Sequence, residues 1–192
     1  VCAWCAHSLY KIREKSISTE INLDLNIASI RWRDRLKWLF WSAIGTGLLA
    51  SITTQISADV APVPFMWIAP ITIYLLSFVV TFSTRSLYRP AVFAGALMIV
   101  SALSLDLRVF GAQIGFWQFL VTCLFGLAIA CVICHAELFR ARPHTLNLTG
   151  FYLTISAGGV MGTLWVAVIS PNLFNRDIDL PLLWGCLVLA IV

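Results

Sequence analysis

The sequence predicts an all-α integral membrane protein, a polytopic helix bundle with five complete transmembrane helices and partial ones at both ends. Three observations carry that expectation. Of 192 residues, 60% are hydrophobic and 11% charged, against about 25% charged in an ordinary soluble domain. The charges fall in short clusters that leave uncharged windows of bilayer length, about 20 residues. Prolines stand at or near the edges of those windows. Such a chain cannot clothe a globular surface in polar groups. A soluble enzyme, a nucleic-acid binder and a secreted disulfide scaffold are therefore excluded as classes.

Residues 1–10 read as the end of a preceding span, and residues 11–37 as a cytoplasmic linker with a basic juxtamembrane segment. Within it, Ile21, Leu23, Leu25 and Ile27 alternate with polar residues at a strand-like period. Alternatively, Ile27, Ile30 and Asp34 begin an interfacial helix; a surface linker leading into a basic helix is the favoured reading. The bundle then occupies 38–192, with spans at 38–58, 60–84, 90–105, 109–134, 147–170 and 181–192. Pro90 opens the third span, Pro171 follows the fifth and Pro181 opens the last, each where a missing N–H is tolerated. Pro62, Pro64 and Pro70 fall in or near the second span, and Pro70 predicts a kink. No signal peptide opens the chain, and both of its ends run into apolar stretches, so a longer polypeptide is expected.

Orientation follows from the positive-inside rule. Of the 13 cations, Lys11, Arg13, Lys15, Arg31, Arg33, Arg35, Lys37, Arg85, Arg89, Arg140 and Arg142 collect on one side, and Arg108 and Arg176 on the other. The first side is therefore cytoplasmic. Trp32, Trp38, Trp41, Tyr88 and Tyr152 are expected near the inner interface, Trp117 and Trp184 near the outer one. The expected location is a bacterial inner membrane, crossed several times.

Chemistry-bearing motifs are sparse. Cys131-Val-Ile-Cys134-His135 matches the c-type haem attachment pattern. Its place on an apolar helix, with the histidine on the cytoplasmic side, favours two ordinary apolar thiols. Cys2 and Cys5 with His7 lack the haem spacing and fix no zinc geometry. No cofactor and no metal is expected. Gly45-Thr-Gly47-Leu-Leu-Ala50 looks like a dinucleotide loop, but no strand precedes it, so Gly45 and Gly47 read as helix-packing residues. Gly158 and Gly162 form a GxxxG pair flanked by Gly159, the firmest packing expectation; Gly111 and Gly115 form a second such pair. Candidate transport or functional residues are Gln55, Asp59, His135 and Glu137. All but Gln55 are span-end positions, for which solvation at the interface is the bland explanation. Thr53, Thr54 and Gln55 make the compact polar group within a span, able to bind a ligand or merely a neighbouring helix.

Three blocks resemble the membrane part of spermidine-synthase-like polytopic proteins, the fused major-facilitator/spermidine synthase type. They are Ile56-Ser-Ala-Asp-Val-Ala-Pro-Val-Pro-Phe-Met-Trp-Ile-Ala-Pro70 with Tyr74-Leu-Leu-Ser-Phe78, Cys134-His-Ala-Glu-Leu138 with Arg142-Pro143, and Leu148-Thr-Gly-Phe-Tyr-Leu-Thr-Ile-Ser-Ala-Gly-Gly159 through Pro171. The similarity spans about 36–185 and includes His135 and Glu137. In that family a cytoplasmic aminopropyltransferase-type domain follows. This sequence has no glycine-rich strand-to-helix loop with paired acids, so synthase activity does not carry over. Where the family usually has an acid this chain has Gly150, and where it often has an asparagine this chain has Val166. Both differences favour helix packing over transport. The expected function is a non-catalytic membrane scaffold or accessory subunit. Its partners would be the lipid bilayer and other membrane subunits, such as those of an energy-transducing complex, and not nucleic acid. The alternative is the membrane half of a small-cation or polyamine transporter or sensor.

Overall fold

The computed structural model describes residues 31–59, 66–83, 88–109, 116–143, 147–174 and 179–191. Nearly all of these belong to six helices: α1 (Trp32–Asp59), α2 (Ile68–Ser83), α3 (Pro90–Val109), α4 (Phe116–Arg140), α5 (Leu148–Leu173) and α6 (Asp179–Ile191). No strand occurs among the described residues. Of the six, α1, α4 and α5 are long and apolar enough to cross a membrane, whereas α2, α3 and α6 are shorter apolar helices. The linker question at 16–30, the thiols Cys2 and Cys5, and the Gly111–Gly115 pair lie outside the described residues.

Helix bounds depart from the sequence expectation for identifiable reasons. α1 begins at Trp32, six residues before the expected 38. Arg33, Arg35 and Lys37 are good helix formers, and long cationic side chains continue a helix beyond its apolar stretch. α4 likewise runs on to Arg140, past the expected 134. α2 has 16 residues, and Pro70 is its third. A proline in the first turn loses an N–H that has no intrahelical partner anyway, so the expected mid-span kink is corrected to an ordinary helix start. Pro171 does not follow the fifth helix but lies inside its end. Ahead of it, Trp165–Ile169 is π-helical, and the Ser170 N–H donates to the Trp165 carbonyl. The proline ring crowds the carbonyl four residues back, and the widened turn relieves that clash. The Asn172 side-chain amide then donates to the Val168 carbonyl at 2.6 Å.

α4 sits at the centre, against α1, α2 and α3. Leu48, Ile52 and Ile56 recur at every fourth position of α1, so they share a face. They join Leu127, Ala130, Cys131 and Cys134 of α4 and Leu183, Trp184 and Leu187 of α6 in one buried cluster. A smaller cluster of Trp38, Leu138 and Phe151 ties α1, α4 and α5 at the end that also carries Arg31, Arg33, Arg35, Lys37, Arg89, Arg140 and Arg142, here called the basic end. There the Trp38 indole N–H donates to the Ala141 carbonyl at 2.9 Å, and its ring meets Phe151 edge-on at 5.0 Å. Trp38 is thus buried against the protein at the basic end. Trp184 is 5% exposed, and its ring packs where a side chain on Gly126 would stand.

Candidate functional site

The glycine seam joins α1 to α5. A Cβ added at Gly158 would stand 2.6 Å from the Leu39 carbonyl oxygen. One at Gly162 would fall onto the Ala43 carbonyl oxygen. The helices therefore touch backbone to backbone. Gly159 and Gly47 have ordinary or slightly tight surroundings: Thr46 Cγ2 at 3.4 Å for the first, Leu183 at 3.3 Å for the second. Gly45 faces Cys134 of α4 at 3.5 Å. Close approach brings hydroxyls within reach of the partner's carbonyls. Ser42 Oγ donates to the Ile155 carbonyl at 2.6 Å. Thr46 Oγ1 approaches the carbonyls of Ser42 (2.9 Å), Gly159 (3.2 Å) and Ala43 (3.3 Å). One hydroxyl has one proton, and the shortest approach, within its own helix, takes it.

The second locus lies between α2 and α4. His135 was expected to be solvated at an interface; instead it is 2% exposed, enclosed because α2 lies along the face of α4 that carries it. Ser77 Oγ lies 3.0 Å from His135 Nδ1 and 2.8 Å from the Tyr74 carbonyl. Both contacts are satisfied together when the serine hydroxyl donates to the carbonyl and the ring N–H donates to the serine. Tyr74 and Phe78 meet the imidazole edge-on at 4.8 and 5.2 Å. Cys131 also reaches Ser77. Ser77 and Tyr74 were not singled out from the sequence as partners. Their signal was present, since Tyr74 and Ser77 stand three apart on α2 and Cys131 and His135 four apart on α4, spacings that share a helix face.

Glu137 and Gln55 sit apart from that cluster. Glu137 Oε1 accepts from Arg140 Nη1 at 3.1 Å, and Tyr88, in the chain just before α3, bonds to the same carboxylate. Burial, then the adjacent Glu137 charge, pushes the Tyr88 phenol above its ordinary value of 10.0. Gln55 is 8% exposed, and neither its Oε1 nor its Nε2 has a hydrogen-bond partner among the described residues. Its neighbours differ: Thr53 and Thr54 bond to the carbonyls of Leu49 and Ala50 in their own helix. Asp59 is the last residue of α1, and its side chain lies outside what the structure describes. The candidates thus do not converge: among the described residues, His135 joins Ser77 between α2 and α4, whereas Glu137 joins Arg140 and Tyr88 at the basic end.

Cys131 and Cys134 are free, buried thiols on the central helix. Among the described residues, no group of three or more His, Cys, Asp or Glu side chains is arranged to hold a metal ion. No protein-family model, curated protein or solved structure matches the chain significantly.

Proposed function

We propose that the chain is a non-catalytic, membrane-embedded scaffold or accessory subunit of a larger membrane assembly. One observation carries this reading. α5 is locked to α1 through glycines on one side, yet only 22% of its most apolar stretch is buried. Leu153, Val160, Met161, Leu164, Val168 and Leu173 all stand exposed on it. A face this apolar is unfavourable in water and suited to lipid or to another helix. Most hydroxyls on the helices support the same reading, because they turn back to carbonyls of their own helix. The three blocks that resemble spermidine-synthase-like membrane parts, and a bacterial inner membrane with segment 11–37 in the cytoplasm, belong to this proposal. A photo-crosslinking residue at Val160 or Leu164, compared with one at Ile99 of α3, tests it in native membranes. A discrete protein adduct from α5 alone supports it; lipid adducts alone from both helices overturn it.

A second reading, a small-cation transporter or sensor, draws on the unpaired amide of Gln55 and the enclosed His135–Ser77 pair. Intramembrane polar groups of this kind mark transport paths in many proteins. Protein-dependent polyamine uptake into proteoliposomes, abolished by Asp59→Asn or Gln55→Leu, is its expected result; unchanged background flux removes it.

A further inference from the structure

We propose that the basic end carries a binding site for the phosphate of an anionic lipid headgroup, built by Arg89, Arg140 and Arg142 around the rings of Tyr88 and Phe139. The site rests on the reading that the bundle sits in a bilayer. The start of α3 and the end of α4 stand side by side here, joined by the Tyr88 bond to Glu137. Among the described residues, the one carboxylate paired with any of these guanidiniums is Glu137, through Arg140. Arg140 uses one N–H on Glu137 Oε1 at 3.1 Å and its side chain remains 59% exposed. The Arg142 guanidinium carbon lies 4.3 Å from the centre of the Phe139 ring. A ring contact uses the face of the group and leaves the N–H edge for an oxyanion. Arg89 is exposed, and its carbonyl accepts the N–H groups of Val92 and Phe93, each at 3.1 Å. The first turn of α3, with the positive end of its dipole, therefore begins beside it.

Arginine forks match phosphate oxygens, and basic pockets between helices on the cytoplasmic side take anionic headgroups. The choice of a lipid over a free phosphate comes from the surroundings. Phe139 packs edge-on against Phe82 at 5.2 Å, so the Arg142 guanidinium rests on an aromatic floor. From Arg89 a track of exposed apolar residues, Val92, Met98, Ile99 and Leu103, runs along α3. Head and acyl chains of one molecule are thereby both provided for.

The full chain is placed in phosphatidylcholine vesicles with and without phosphatidylglycerol, and the lipid retained after mild extraction is read by native mass spectrometry. Phosphatidylglycerol is expected to be retained over phosphatidylcholine. Losing each arginine should reduce that preference about fivefold, since a basic group near an anionic surface contributes about 1 kcal/mol. Arg140→Gln with Arg142→Gln is compared with Arg33→Gln and Arg35→Gln, an equal charge change at the start of α1; helical content is checked by circular dichroism. A second variant, Arg89→Gln, should reduce the preference about fivefold without touching α4. Equal losses in both double variants, no loss in either, or displacement of the lipid by inorganic phosphate each overturn the site. Failure of the chain to insert into vesicles overturns the membrane reading and the site together, whereas insertion without a headgroup preference overturns the site alone.

Discussion

Replacing Gly162 by alanine tests the glycine seam directly. The added methyl would clash with the Ala43 carbonyl oxygen and stand 2.6 Å from Thr46 Oγ1 and 2.8 Å from the Ala43 carbonyl carbon. Ordinary contact lies at 3.4–4 Å, so α1 and α5 must part by about an ångström. Overpacking of this kind costs about 1–3 kcal/mol. Separation also stretches the 2.6 Å bond from Ser42 to Ile155, worth about 0.6 kcal/mol for an interhelical bond in a membrane. Against this, glycine to alanine in a helix stabilises by about 1 kcal/mol. The net expectation is a loss of roughly 0.6–2.6 kcal/mol. Gly150, on the same helix, has nothing within 4 Å of an added Cβ. Gly150→Ala should therefore gain up to about 1 kcal/mol. Reversible unfolding in mixed detergent micelles, followed by circular dichroism, gives both values. If the two substitutions shift the midpoint in the same direction, the backbone contact between α1 and α5 is wrong.

Three other substitutions have expected outcomes. Ser77→Ala leaves the buried His135 Nδ1 without its 3.0 Å partner and should destabilise by about 1–3 kcal/mol, whereas Ser156→Ala on the exposed side of α5 should shift the unfolding midpoint little; equal effects would show that the Ser77 bond is immaterial. Gln55→Leu removes two buried, unpaired amide atoms and should stabilise by about 1–3 kcal/mol; a lowered midpoint in the same assay would reveal a partner for that amide. Tyr88 holds its proton more tightly in the folded chain than at its ordinary 10.0, so its contribution is full below pH 10 and is lost as pH rises from there through the folded value; ultraviolet titration of Glu137→Gln should show a phenol ionising at lower pH than in the parent, and an unmoved titration refutes the Glu137 contribution.

The sequence disclosed most of the architecture because charge and apolarity are local properties. The uncharged windows coincide with the six helices among the described residues, and Gly158-x-x-x-Gly162 marked a close-contact face. Helix ends were less legible, since Arg33, Arg35 and Lys37 read as boundaries while being good helix formers. The burial of His135 was hidden for a different reason. Two residues before Glu137 and five before Arg140, it looks interfacial in one dimension, and only the placement of α2 beside α4 encloses it. The partners of polar residues were likewise non-local: Ser77 and His135 lie 58 positions apart and Trp38 and Ala141 103. No period or motif links such positions. The unpaired state of Gln55 is a property of its surroundings and has no sequence signature.

The widened turn in α5 has a consequence for how far the two helices can stay in register. The inward row of α5 is Gly158, Gly162, Val166 and Ser170, a cadence of four. An α-helix completes a turn in 3.6 residues, so a four-step row drifts about 40° around the cylinder with every repeat and would soon swing away from α1. The π segment turns less per residue and cancels part of that drift just where it accumulates, and α1 indeed still touches it. A proline near the tail of the rod thus acts as a phase corrector, keeping one continuous edge of small and slender residues aligned with its neighbour over the whole length of contact.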